Sequence, residues 1–264
     1  MSASSIVRER RGAVEILRID RQHVANALAE ADLEQLAGEL RSCLANPEVH
    51  AMVLTGSGEK FFCAGADIAE LADDISDVDA HLAFWHRLVD LLEASEKPII
   101  AALNGAAVGG GLEIALACHL RIAASHARVG LPELKVGLFP AAGGIRRLTK
   151  LIGAGKTRNL VLSTSLLSAE QAQLLGIVEH IAAPDDLVGA ALNIASQWAD
   201  FEPNAVRAVL KCAHEAENRT DTNDLETMLF RDCYATERNR ELLRSFQTQS
   251  PRKRSVPSKR EVAQ

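Results

Sequence analysis

The feature that most restricts this chain is a plan it runs through three times in its first half: short apolar strand, glycine-rich turn, helix with leucines at helical spacing. The first unit has strand-like alternation over Ile6 to Arg10 and Ala13 to Ile19. A helix follows Asn26, with Leu28, Leu33, Leu36, Leu40 and Leu44 near a 3.6 period. In the second, Met52 to Leu54 reads as a buried strand, Gly56 to Gly65 as a loop, and Asp79 to Ala94 as a helix carrying Leu82, Trp85, Leu88, Val89 and Leu92 on one side. Pro98 closes that helix and opens Ile99, Ile100, Ala101, Ala102 and Leu103. Gly109 to Gly111 then feed a helix from Leu112 to about His119, with short strands at Arg121 to Ala123 and Ala127 to Val129. Strand and helix alternating in successive similar turns predict an α/β architecture.

After Gly143 the β-branched runs thin out. Ile145 to Ile152, Thr157 to Leu162, Ala169 to Leu175, Leu187 to Ala199, Pro203 to Ala216 and Asp224 to Phe246 read as helices, and only Ile177 to Ile181 as a strand. No linker separates the halves, so residues 1–200 are expected to form the core, 201–250 a helical extension, and 251–264 a polar basic tail.

Composition excludes more than it suggests. Of 264 residues only ten are aromatic, so packing must rely on Ala, Leu, Ile and Val. The net charge is −6, and the tail holds five basic residues against one acidic, leaving −10 on the rest; nucleic acid is not expected as a partner. The longest uncharged run, Pro98 to Leu112, is too short and Gly-rich to span a bilayer, so no membrane partner is expected either. Five cysteines without a CxxC pair, and an N-terminus lacking the apolar core of a secretion signal, predict reduced thiols in the cytoplasm.

Several motifs fail on inspection. GAGKT at Gly153 to Thr157 lacks the glycine a phosphate loop needs where Lys150 stands, and reads as a helix junction. There is no GxSxG elbow for a serine nucleophile. The eight histidines never take zinc spacings, so no metal is expected; His119 and His126 read as satisfied helix-end and strand-edge residues.

Two glycine-rich segments remain. Phe61-Phe62-Cys63-Ala64-Gly65-Ala66-Asp67-Ile68 puts tiny residues where a chain leaves a strand, so backbone amides can approach a ligand; alone, it reads more simply as a tight turn with Asp67 as helix cap. Asn104 to Glu113 places Gly109, Gly110 and Gly111 at a helix start, where free N–H groups and the helix dipole favour anionic oxygen, with Glu113 in the first turn. Glycines beside helices also serve close packing. Downstream, Gly130-Leu131-Pro132-Glu133 adds a second carboxylate, followed by Phe139 and by Gly143-Gly144. Two backbone oxyanion donors with two carboxylates are what addition of water across a thioester-conjugated double bond requires.

FFCAGADI, KPIIAALNGAAVGGGLEIALAC and ARVGLPELKVGLFPAAGGIRRL together resemble the crotonase superfamily, which includes enoyl-CoA hydratases and isomerases; the resemblance runs from about Val7 to Phe246. It implies a spiral of repeated ββα units with a helical C-terminal region that assembles trimers, often stacked as hexamers. It implies an acyl-CoA substrate and no separate cofactor. By motif position it assigns the oxyanion N–H groups to Ala66 and Gly110. Glu113 becomes the group that activates water for attack at Cβ, and Glu133 the acid that protonates Cα. The substrate contacts implied are Ala64, Gly65, Ala66, Asp67, Ile68, Gly109, Gly110, Pro132, Phe139 and Gly143. Family members with other activities add an acid where this chain has Ala141 and Ala142, which favours a hydratase.

The chain departs from that pattern at His119, where the family often has Asp, at Asp20-Arg21-Gln22-His23-Val24, and in the last helix. A second reading is a double-bond isomerase or a dehydratase for a polar acyl group, suggested by Asp73, Asp74, Asp77 and Asp79 near Trp85 and His86; a solvated acidic loop is the simpler account of them. A third is a non-catalytic scaffold with the basic tail on a partner.

Overall fold

The computed structural model describes residues 4–72, 77–201, 203–217, 231, 235 and 237–249. Asp73, Asp74, Cys233, the predicted tail and about half of the helix expected from Asp224 lie outside the described residues.

Two sheets organise the chain. The larger has the order β1 (Ile6–Arg11), β2 (Val14–Ile19), β3 (Ala51–Gly56), β5 (Ile99–Leu103), β7 (Leu120–Ala124), β10 (His180–Ala182). Only β1 and β2 are antiparallel; the remaining pairs are parallel. The smaller sheet runs β4 (Phe61–Cys63), β6 (Ala106–Val108), β8 (Arg128–Gly130), β9 (Leu167–Ser168), the first three parallel and β9 antiparallel. Each turn of the spiral thus places one strand in each sheet before its helix. β3 is followed by β4, then α2 (Ile68–Ala72) and α3 (Val78–Glu93). After β5 come β6 and α4 (Gly110–Ala117), and after β7 come β8, a 3-10 turn (Glu133–Val136) and α5 (Gly144–Ile152).

The continuous apolar runs of β3 and β5 follow from this position. Every residue of both strands is buried, as expected of parallel strands covered on both faces. α1 (Glu30–Ala45) and α3 pack against each other, and α8 (Leu187–Ala199) lies across β2, β3, β5 and β7. A large core joins these elements. A smaller apolar cluster, Leu71, Leu82, Val136, Leu138, Ala141 and Leu243, stands apart from it, the last residue supplied by α10 (Glu237–Gln249).

The predicted helices are present with shifted ends. α4 begins at Gly110 rather than Leu112, and the GAGKT segment is the junction of α5 with α6 (Ala154–Ser163). β4 lies inside the span read as a loop, and β6 and β9 were not anticipated. All three have two or three residues, too few for alternation to show. The strand expected at Ile177 to Ile181 is His180–Ala182; Ile177 and Val178 are core residues before it. α7 (Ala169–Leu175) is capped reciprocally by Ser168 and Gln171, and α9 spans Pro203–Glu217.

Cys43, Cys63 and Cys118 are buried free thiols, while Cys212 is exposed. Among the described residues, no helix is long and apolar enough to cross a membrane. Gly38 sits exposed in mid-α1 with nothing near the position of a side-chain carbon. Gly38→Ala is therefore expected to raise stability by about 1 kcal/mol, read as a higher midpoint in denaturant at unchanged slope.

Candidate active site

The turn after β4 and the turn after β6 meet side by side. Gly65 has φ +91°, and a side-chain carbon there would lie 2.9 Å from the amide nitrogen of Gly110 and 3.0 Å from the Val108 carbonyl, so only glycine permits this approach. Gly111 is closer still to the first turn: its added carbon would fall 2.1 Å from the Cys63 carbonyl oxygen. Gly109, with φ +57°, is the N-cap of α4, and its N–H donates to the Gly130 carbonyl at 3.0 Å. The amides of Ala66 and Gly110 have no acceptor among the described residues, and both residues line one cavity. Gly110 also begins α4, where the helix dipole adds to the pull on negative charge.

That cavity, of about 180 Å³, has mostly apolar walls, among them Ile68, Leu71, Leu82, Trp85, Val136 and Phe139. Its polar groups are few: Glu113 and Glu133, with His81 and Lys135 elsewhere on the wall. Ala64, Pro132 and Gly109 line it as expected. Gly65, Asp67 and Gly143 do not, and act from behind the surface. Asp67 accepts from the Ala69 amide at 3.2 Å, capping α2 as predicted, and pairs with Arg21 at 3.3 Å; the same guanidinium pairs with Asp32 at 3.0 Å. Gly143 is the N-cap of α5 at φ +87°.

The two glutamates sit in contrasting surroundings. Glu113 Oε1 accepts from the amides of Ala142 at 2.9 Å and Gly144 at 2.8 Å, the latter opening α5. A side-chain carbon at Gly144 would stand 2.8 Å from that same oxygen, so glycine is what lets the carboxylate reach the helix start. Burial pushes Glu113 up to about 7, against the pull of these amides and of nearby Arg147. Neither Glu133 oxygen has a hydrogen-bond partner from another described residue. Burial, then repulsion by Glu113, pushes Glu133 well above the usual carboxylate range. One acid is thus held in place by fixed donors and ionises first; the other keeps its proton and faces the cavity. Such divergence between neighbouring carboxyls separates a base from an acid.

Supporting residues lie around the acids, at positions to which the sequence assigned no role. Arg147 donates from Nη1 to the Ala142 carbonyl at 2.8 Å and from Nη2 to Glu93 at 2.5 Å, fixing the loop that carries the two amides; Arg146 pairs with Glu93 at 2.8 Å. These positive charges, though opposed by burial, hold Glu93 below its ordinary value. His86 donates from Nε2 to the Ala141 carbonyl at 2.7 Å. The Trp85 ring lies against Gly110, within 2.5 Å of where a side chain would begin. Of the acidic residues suspected of shaping the pocket, Asp77 caps α3 by accepting from Ala80, and Asp79 pairs with Arg231. His119 accepts at Nδ1 from the Ile99 amide at 3.0 Å, and burial lowers it to about 4, so it is a neutral structural group; the exposed His126 donates from Nε2 to the Glu59 carbonyl at 2.8 Å. Among the described residues no cluster of metal-binding side chains occurs.

Comparison with known proteins agrees with this geometry. The family described as enoyl-CoA hydratase/isomerase matches residues 9–253. The chain is 34% identical to the short-chain-enoyl-CoA hydratase of Clostridium acetobutylicum, over 93% of this chain and 95% of that protein. It is also 34% identical to the crotonyl-CoA hydratase of Syntrophomonas wolfei, over 93% and 96%. The crystal structure of an enoyl-CoA hydratase from Bacillus anthracis superposes with a TM-score of 0.79 at 32% identity, covering 92% of this chain and 96% of that one.

Proposed function

The chain belongs to the enoyl-CoA hydratase/isomerase family, and on that footing we propose that it adds water reversibly across the 2,3 double bond of a 2-enoyl-CoA, giving a 3-hydroxyacyl-CoA. It is a hydro-lyase. The observation that carries the assignment of roles is the pair of buried carboxyls with opposite hydrogen bonding, Glu113 fixed by two amides and Glu133 at the cavity with no donor from another described residue.

The thioester oxygen accepts from the Ala66 and Gly110 amides, where the dipole of α4 strengthens the donors. Conjugation leaves Cβ electron-poor, and polarisation of the carbonyl deepens this. Glu113, ionised, takes a proton from water as the oxygen attacks Cβ. Negative charge moves onto the thioester oxygen, where each preorganised donor is worth about 3 kcal/mol. Glu133 delivers its proton to Cα and the carbonyl re-forms. No electrons leave the substrate, so the reaction needs no redox partner. Lys135, exposed at the cavity, supplies a positive charge for the CoA phosphates in a chain that is otherwise acidic. The buried free cysteines suit a reducing cytoplasm, and assembly as a trimer or stacked trimers is part of the same reading.

The test is loss of the conjugated absorbance of crotonyl-CoA and longer 2-enoyl-CoAs, followed against pH. The rate is expected to rise as Glu113 ionises around 7 and to fall at higher pH as Glu133 loses its proton. No hydration at any chain length would sink the assignment. Stability carries the same signature. Between 4.5 and about 7 an unfolded chain has lost the Glu113 proton that the folded protein retains, so stability drops as pH rises through this window. Glu113→Gln should flatten that part of the drop in thermal unfolding.

A further inference from the structure

One polar group on the cavity wall has no part in the hydration chemistry. His81 is 2% exposed, and its Nδ1 lies 2.9 Å from Glu30 Oε1. A carboxylate only accepts, so Nδ1 donates to Glu30 and Nε2 is the ring atom left for another partner. No described residue donates to Nε2, yet that atom is not sealed in as the Glu133 oxygens are, and His81 lines the cavity. A core histidine would satisfy both nitrogens within the protein.

Its place along the acyl group follows from α3. Trp85 packs on Gly110, where the thioester is held, and His81 is four residues earlier, about 6 Å along the helix axis. It therefore meets the acyl tail and not the reacting carbons. Charge narrows the choice of tail. The Glu30 amide donates to Glu70 at 3.2 Å, so two carboxyl groups back the histidine, and burial pushes Glu70 above its ordinary value. A carboxylate-ended tail would be repelled there. A hydroxyl, uncharged and able both to donate and to accept, suits Nε2.

Resting on the hydratase reading, we infer that His81 Nε2, opening onto the cavity one helical turn from the oxyanion site, is a specificity subsite for 2-enoyl-CoAs bearing a hydroxyl group on the acyl tail. The experiment compares kcat/KM for pairs of medium-length 2-enoyl-CoAs that differ only in a terminal hydroxyl, in the wild type, His81→Leu and Glu30→Ala. The wild type should favour the hydroxylated member of at least one pair by about fivefold, the worth of one net hydrogen bond. His81→Leu should abolish or reverse that ratio. Glu30→Ala, at a partly exposed position, releases the ring and should also lower the ratio, which keeps the test decisive should His81→Leu fail to fold. Equal treatment of every pair by the wild type overturns the assignment. So does a preference that persists in both variants, or a carboxylate-ended tail outranking the hydroxylated one. Turnover of no member of any pair would instead strike the hydratase reading itself.

Discussion

Glu133→Gln should abolish hydration almost completely while leaving the protein as stable as before, or slightly more so. The carboxyl group has two buried oxygens, no donor from any other described residue, and a neighbouring acid that raises its proton affinity. Glutamine has the same shape and needs no ionisation, so the fold loses nothing it was using. The reaction loses its only proton source for Cα, and removal of a positioned general acid costs roughly a hundred- to ten-thousandfold in kcat. Glu113→Gln should be comparably damaging. Its amide oxygen can still accept from Ala142 and Gly144, so the loop stays in place while the base is lost. Because the two act on one transition state, the double variant should be far less than multiplicatively worse. The measurement is single-substrate kinetics on crotonyl-CoA beside thermal unfolding. Turnover that survives both substitutions would show that the proton transfers lie elsewhere.

Gly111→Ala should be the most destructive of the conservative glycine substitutions. The added carbon would lie 2.1 Å from the Cys63 carbonyl oxygen, 2.7 Å from its carbon and 2.9 Å from its side chain. Those atoms end β4, which is paired with β6 and cannot move aside alone. Overpacking of this kind costs about 3 kcal/mol, or roughly 10 °C in the unfolding midpoint for a chain of this size. The folded fraction should also be slow, because displacing Cys63 shifts the turn that carries Ala66. An unfolding midpoint close to that of the wild type would show that β4 yields more readily than its pairing implies. Gly38→Ala is the control for helix propensity without collision.

The chemical core of the site was legible because each of its pieces is local. A glycine triple opening a helix, a glutamate in the first turn and a Pro-Glu step are all patterns within ten residues. Three of the four short strands of the smaller sheet, β4, β6 and β9, were not, since two or three residues carry no period. What positions Glu113 was hidden for another reason. Its two amides come from 29 and 31 residues away, and the Glu93–Arg147 pair that braces their loop spans 54. No spacing rule connects such positions. Gly143 and Asp67 were read as substrate contacts from the family resemblance; neither lines the cavity, one capping α5 and one tying down the turn with Arg21. His81 was passed over because it stands on a helix among apolar neighbours, where histidine is ordinary.

The separation of the small apolar cluster from the main core bears on how such a protein can change over generations. Leu71, Leu82, Val136, Leu138 and Ala141 line the cavity, and Leu243 packs with them, but the sheets do not rest on this cluster. Substitutions there can reshape the tail pocket with little penalty to folding, whereas the acids and amides are fixed by elements that tolerate almost none. A lineage built on this scaffold can therefore drift in the substrates it accepts while its reaction stays constant, and selection for a new acyl group would leave its record chiefly in α2, α3, the 3-10 turn and α10.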